Sequence, residues 1–178
     1  RPVMDAMVRL IEEKGDEIFS HCDSIVLEID MDKDVIKGVF KYAKKYNKPV
    51  YAVVANMSIA SQRRDFLQNT DCFVCNLQES GILFSDDYSQ KSASEMVEII
   101  SQKVQAAQIP SMIVTMGGEG AVYADIHGDK GFCPARRVEV KDTTGAGDIF
   151  GGSAVYQLLQ TGVKPEDYPA LMEEAQKL

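Results

Sequence analysis

The residues best suited to chemistry in this 178-residue chain lie in the run Val140-Lys141-Asp142-Thr143-Thr144-Gly145-Ala146-Gly147-Asp148-Ile149-Phe150-Gly151-Gly152. Gly145, Ala146 and Gly147 are small enough for the backbone to approach a ligand closely, and they open an apolar stretch whose pattern predicts a helix to about Gln160. The first N–H groups of a helix have no intrahelical partner and lie at the positive end of its dipole. The loop is therefore expected to form an anion hole for a phosphate. Asp148 falls in the same first turn, where a carboxylate is placed to accept the proton of a hydroxyl attacking that phosphate. The plainer alternative, glycines that shape a loop and an acid that favours a helix start, is the less specific account of a seven-residue run ending in Gly-Asp.

Such a loop needs a scaffold, and the hydrophobic pattern supplies an alternation of strands and helices. A first amphipathic helix is expected over about Pro2 to Glu13, followed by Gly15 and a short helical piece. Ser24 to Ile29 reads as a buried strand. Asp32 caps a helix carrying Val35, Ile36, Val39, Phe40 and Ala43 on one face, and Asn47-Lys48-Pro49 ends it. Val50 to Val54 is a second strand, Ser58 to Leu67 one short helix, and Cys72 to Cys75 a third strand. Ser92 and Glu95 have capping-box spacing and start a helix to about Gln108, stopped by Ile109-Pro110. Met112 to Met116 is a fourth strand, Gly117 to Gly120 a turn, and Ala121 to Ala124 with Gly131 to Cys133 a hairpin. Strands separated by helices imply right-handed βαβ units. The expected architecture is a single α/β domain over residues 1–178, with a mainly parallel sheet and helices on both faces.

Composition narrows the partners. Nineteen basic against 27 acidic residues give a formal net charge of −8, a field that repels a nucleic-acid backbone. The basic run Lys41, Lys44, Lys45 and Lys48 lies on the second helix and reads as a solvated face. No apolar run approaches the ~20 residues of a membrane-spanning helix, and no leader with an apolar centre opens the chain. With four scattered cysteines and no such leader, the expectation is a cytoplasmic protein with reduced thiols. Cys72 and Cys75 have C-x-x-C spacing, but positions three apart in a strand point to opposite faces, so neither zinc nor a redox pair is expected. His21 and His127 are isolated, and no G-x-x-x-x-G-K-[ST] run is present.

The Asp142-Thr143-Thr144-Gly145-Ala146-Gly147-Asp148 run, with Phe150 and Gly152, resembles the C-terminal signature of the PfkB/ribokinase family of carbohydrate and nucleoside kinases. Asn76-Leu77-Gln78-Glu79 is similar to that family's N-x-x-E motif, and Val114 to Gly120 to its nucleotide-binding strand and turn. The three occur in the family's order. The resemblance implies a ribokinase-like fold and ATP-dependent phosphorylation of a sugar or nucleoside hydroxyl. Asp148 would be the general base, with Gly145, Ala146 and Gly147 stabilising the transferring phosphoryl group. Asn76 and Glu79 would organise Mg²⁺ and the nucleotide phosphates, and Thr115, Gly117 and Gly120 would line the nucleotide. Asp142 and the carbonyl of Thr144 resemble a monovalent-cation (K⁺) site.

Departures from the family bear on the substrate. Members are longer at both ends, and the lid, the N-terminal strands and most sugar contacts are not seen in this sequence. The chain, which does not begin with Met, is therefore expected to be part of a longer polypeptide. A strand end that often reads D-P-N in sugar kinases is here Val54-Ala55-Asn56, leaving Asn56 and Ser58 as polar rim candidates. A non-catalytic nucleotide-binding or regulatory module, or an inactive fragment of such a kinase, stays open beside the kinase reading. So does a homodimer.

Overall fold

The computed structural model describes residues 2–135, 147 and 149–153. Its described elements run α1 (Pro2–Ser20), β1 (Ile25–Glu28), α2 (Lys33–Tyr46), β2 (Val50–Val53), α3 (Met57–Ala60), α4 (Arg64–Leu67), β3 (Cys72–Asn76), α5 (Leu77–Phe84), α6 (Ala93–Ala107), β4 (Ser111–Thr115), a 3₁₀ turn (Gly117–Glu119), β5 (Gly120–Asp125) and β6 (Lys130–Pro134). The strands form one sheet in sequential order, β1 to β4 parallel and β4 to β6 antiparallel. Among the described residues the expected parallel sheet is present over β1 to β4, and the hairpin strands β5 and β6 extend it antiparallel at one edge.

Strand order fixes where the helices go. When each right-handed crossover advances one strand in the same direction, the connecting helices fall on the same face. That face packs Leu27, Ala52, Phe73, Met112 and Val114 against Ile36 and Val39 of α2, Leu83 of α5 and Met96 and Ile100 of α6, all in one apolar layer. The alternate strand residues Tyr51, Cys72, Val74, Ile113, Ala121 and Tyr123 form a second layer on the opposite face, with Val53 and Phe150 against it. Helical residues 149–153 thus meet the face that α2, α5 and α6 do not. Both faces of the inner strands are buried, as parallel strands require.

Two elements differ from the sequence expectation. The first helix does not end near Glu13 but continues through Gly15 to Ser20. Gly15 is buried, and a Cβ there would overlap the Tyr42 ring; the glycine lets α1 lie against α2, where Phe19 stacks on Tyr42 with ring centroids 5.4 Å apart. Contact between helices, not a break in one, is the reason for glycine here. The single helix expected over Ser58 to Leu67 is two short ones, α3 and α4, because the chain turns at Ser61 to Arg63. The Arg63 guanidinium donates to the carbonyls of Ile29 and Met31 and ties that turn to the end of β1. Asp32 caps α2 by accepting from the Asp34 N–H at 2.9 Å, and Ser92 and Glu95 form the expected capping box on α6.

Cys72 and Cys75 fall in opposite apolar layers. Cys22, Cys72 and Cys75 form no disulfide among the described residues. Burial pushes the Cys72 thiol up to about 11, and burial, then the charge of Glu79, pushes Cys75 well above the ordinary thiol value. Both are therefore protonated near neutrality, which suits neither a metal ligand nor a nucleophile.

Candidate functional site

Open parallel sheets bind ligands beyond the carboxyl ends of their strands, and the structure has a cavity there. It occupies about 160 Å³ and is lined by Val53 and Val54 at the end of β2, Val74, Cys75 and Asn76 at the end of β3, Thr115 at the end of β4, Glu79 and Gly147. Register brings its polar residues together, since Asn76 and Thr115 are partners across the β3–β4 ladder. Strand alternation places Val53, Val74, Asn76 and Thr115 on one sheet face, the same face that Phe150 covers. Gly147, from the glycine loop, completes the wall.

The chain turns directly from β3 into α5, and the turn fixes Glu79. The Asn76 side chain accepts from the Glu79 N–H through Oδ1 at 2.8 Å, and Glu79 Oε2 accepts from the Asn76 N–H at 2.8 Å. This reciprocal capping box satisfies two donors that would otherwise be open at the helix start. It has a chemical consequence. Two donors at the start of α5 are taken, and the Glu79 carboxylate is held on the cavity wall with one oxygen engaged by the backbone. Among the described residues no side chain pairs with Glu79 Oε1, and none forms a cluster of three or more metal-ligating groups. One fixed carboxylate and an amide are hard oxygen donors. They suit Mg²⁺, which keeps most of its waters and takes few protein ligands.

The remaining predicted residues divide. Gly117, with φ +56°, and Gly118 are exposed in the 3₁₀ turn just beyond β4, with open space where a Cβ would be. Gly120 is buried at φ +128°, and a Cβ there would collide with the Cys133 carbonyl of β6. Close packing in the hairpin is thus reason enough for glycine at 120, and neither Gly117 nor Gly120 lines the cavity. Asn56 is exposed and makes no side-chain cap to α3; it and Ser58 also lie off the cavity. Gly145, Ala146 and Asp148, and the cation-site pair Asp142 and Thr144, lie outside the described residues.

The apolar floor, Val53, Val54, Val74 and Cys75, was not marked out by the sequence, because valines and a cysteine in buried strands look alike wherever they face. The signal that could have found them is positional: they are the last residues of adjacent parallel strands.

Comparison with known proteins follows the same boundaries. The family described as pfkB family carbohydrate kinase matches residues 13–171. A guanosine-inosine kinase of Exiguobacterium acetylicum is 27% identical over 139 residues, covering 78% of this chain and 45% of that protein. A deoxyribokinase of Salmonella typhi is 27% identical over 174 residues, covering 92% and 50%. Among solved structures, ribokinase of Arabidopsis thaliana complexed with ribose and ATP superposes with a TM-score of 0.75 at 20% identity, covering 92% of this chain and 52% of that one. Adenosine kinase of Sinorhizobium meliloti gives 0.69 at 18% identity, covering 90% and 49%. The chain spans about half the length of the curated relatives it matches.

Proposed function

Because the chain belongs to the pfkB family of carbohydrate kinases, we propose that it supplies the nucleotide-phosphate and catalytic portion of an ATP-dependent kinase acting on a hydroxyl of a sugar or nucleoside. The observation that carries this reading is the convergence of Asn76, Glu79, Thr115 and Gly147 on one cavity at the carboxyl ends of β2 to β4. Three sequence motifs far apart in the chain meet there. Gly147 belongs to the loop read as an anion hole, and Asp148 is the next residue.

In this reading Asp148 takes the proton of the acceptor hydroxyl, and the backbone N–H groups of residues 145–148 stabilise the charge on the transferring phosphoryl group. Glu79, oriented by its bond to the Asn76 N–H, would with Asn76 hold the cation that accompanies the nucleotide. Mg²⁺ supplies charge neutralisation on the phosphates when bound. Thr115 and Gly117 flank the nucleotide, with Gly120 shaping the turn behind them. Asp142 and the Thr144 carbonyl would hold K⁺. The names of the relatives favour pentose acceptors, free or as nucleosides.

The test is ADP release with Mg²⁺, K⁺ and ATP against a panel of sugars and nucleosides, using the polypeptide that carries these residues and its Asp148→Asn variant. Acceptor-dependent ADP that collapses in the variant is the expected outcome. ADP release that persists unchanged in Asp148→Asn rejects the role of that residue. Nucleotide binding with no ADP for any acceptor favours a module that binds without catalysis.

A further inference from the structure

A second groove lies at the opposite end of the strands from the candidate active site. Lys37, Lys41 and Lys44 recur at i, i+4 and i+7 along α2, Lys48 follows, and all four line a groove of about 480 Å³ with Phe40 and Val50 among its apolar residues. Val50 is the first residue of β2, whereas Val53 at the strand's other end lines the candidate active site. The two cavities are thus separated by the length of a strand, roughly 10 Å.

Lysines near a helix C-terminus ordinarily complement its dipole, but that account falls short here. Lys37 and Lys41 stand well before the last turn. The terminal carbonyls are already served, since the Asn47 N–H donates to Lys44 O and the Lys48 N–H to Ala43 O. Lys45, which does not line the groove, is the lysine that pairs with Asp16. Among the described residues Lys41, Lys44 and Lys48 have no ion-pair partner, and Lys37 approaches Asp34 only at 3.9 Å, with both side chains largely exposed. Asp71, the acid of the groove, has Oδ2 engaged by the Val50 N–H at 2.7 Å. On a chain of net charge −8, this is a local reversal of sign built around a concavity.

We propose that this groove binds a nucleoside di- or triphosphate, its phosphate chain against Lys41, Lys44 and Lys48 and its base against Phe40. Lysine ammonium groups are point charges suited to phosphates. Most of the lining is polar or charged, Phe40 is its partly exposed apolar surface, and Asp71 Oδ1 provides an acceptor for an exocyclic amine of a base. A flat acidic protein surface would use the lysines but not the concave floor. The site is separate from the proposed catalytic one, and its occupancy does not depend on that assignment.

The experiment is titration calorimetry of tripolyphosphate and of ATP into the parent chain, Lys41→Gln/Lys44→Gln and Lys45→Gln. Losing two charge-assisted contacts should weaken tripolyphosphate binding at this groove roughly tenfold or more, and ATP should fall from two sites to one. The Lys45→Gln variant should bind as the parent does. ATP should bind the groove more tightly than tripolyphosphate. Should the double variant misfold, photolabelling of the parent with an azido-ATP supplies the independent readout, with label expected on the 37–50 peptide. The proposal is overturned by unchanged tripolyphosphate binding in a folded double variant, by label confined elsewhere, or by a glutamate-rich peptide that binds the groove more tightly than ATP.

Discussion

Two helices of this chain begin with the same chemistry and end in different employment. Asn76 with Glu79 opens α5, and Ser92 with Glu95 opens α6; in each, the first side chain accepts from the N–H three residues on and the glutamate accepts from the first residue's N–H. Their surroundings differ. The Glu95 carboxylate also accepts from the Ser92 hydroxyl at 2.8 Å and from Lys91 at 3.1 Å, so local partners engage both of its oxygens. Glu79 has one oxygen bound to the Asn76 N–H, and it stands on the wall of the cavity at the carboxyl ends of β2 to β4. The same four-residue pattern is scaffold in one place and candidate machinery in the other, and its position in the sheet makes the difference.

The strongest way to sharpen that contrast is to remove the proposed base, Asp148. Loss of a general base costs ~10²–10⁴-fold in rate, so Asp148→Asn should lower acceptor-dependent ADP release by that order while ATP still binds. Within the scaffold, Gly120→Ala should be the most damaging change near β4. It combines left-handed backbone with a collision against Cys133, so a loss of about 3 kcal/mol is expected in denaturant titration. Gly118→Ala, where a Cβ meets open space, should leave the unfolding midpoint nearly unmoved.

Those two glycines also mark how far the sequence could be read. Gly117 to Gly120 was legible as a turn after a strand, yet nothing in the string separates a glycine that faces open space from one pressed against β6. The same holds for Gly15, which punctuates the sequence but in the fold lets α1 lie on Tyr42. The succession of strands and helices and the capping box of α6 were legible because they follow from local pattern: short apolar runs in β1 to β4, and the side-chain spacing at 92–95. The cavity's polar residues were legible through their motifs. Its floor was not, since the role of Val53 and Val74 arises only when the strands align.

Smaller effects belong to the caps themselves. Ser92→Ala and Asn76→Ala should each cost about 1 kcal/mol of stability, the usual cost of losing an N-cap. Only the second should also change the dependence of turnover on Mg²⁺ concentration, because the cap it removes orients Glu79.

The smallest effect is one of pH. The backbone N–H and hydroxyl of Ser92, with Lys91, hold Glu95 down at about 2 against an ordinary value of 4.5. Its contribution to stability is therefore full above pH 4.5 and lost as pH falls toward 2. Thermal melts of the parent and Glu95→Gln should differ most above that window and converge below it.

The central claim is tested most directly by measuring Mg²⁺-dependent, acceptor-dependent ADP release in Glu79→Gln and Glu95→Gln side by side. The account predicts that Glu79→Gln loses activity or apparent Mg²⁺ affinity by ~10–100-fold, the scale seen when a metal's supporting carboxylate is removed, while Glu95→Gln turns over as the parent does. Equal losses in the two variants, or none in Glu79→Gln, would contradict it.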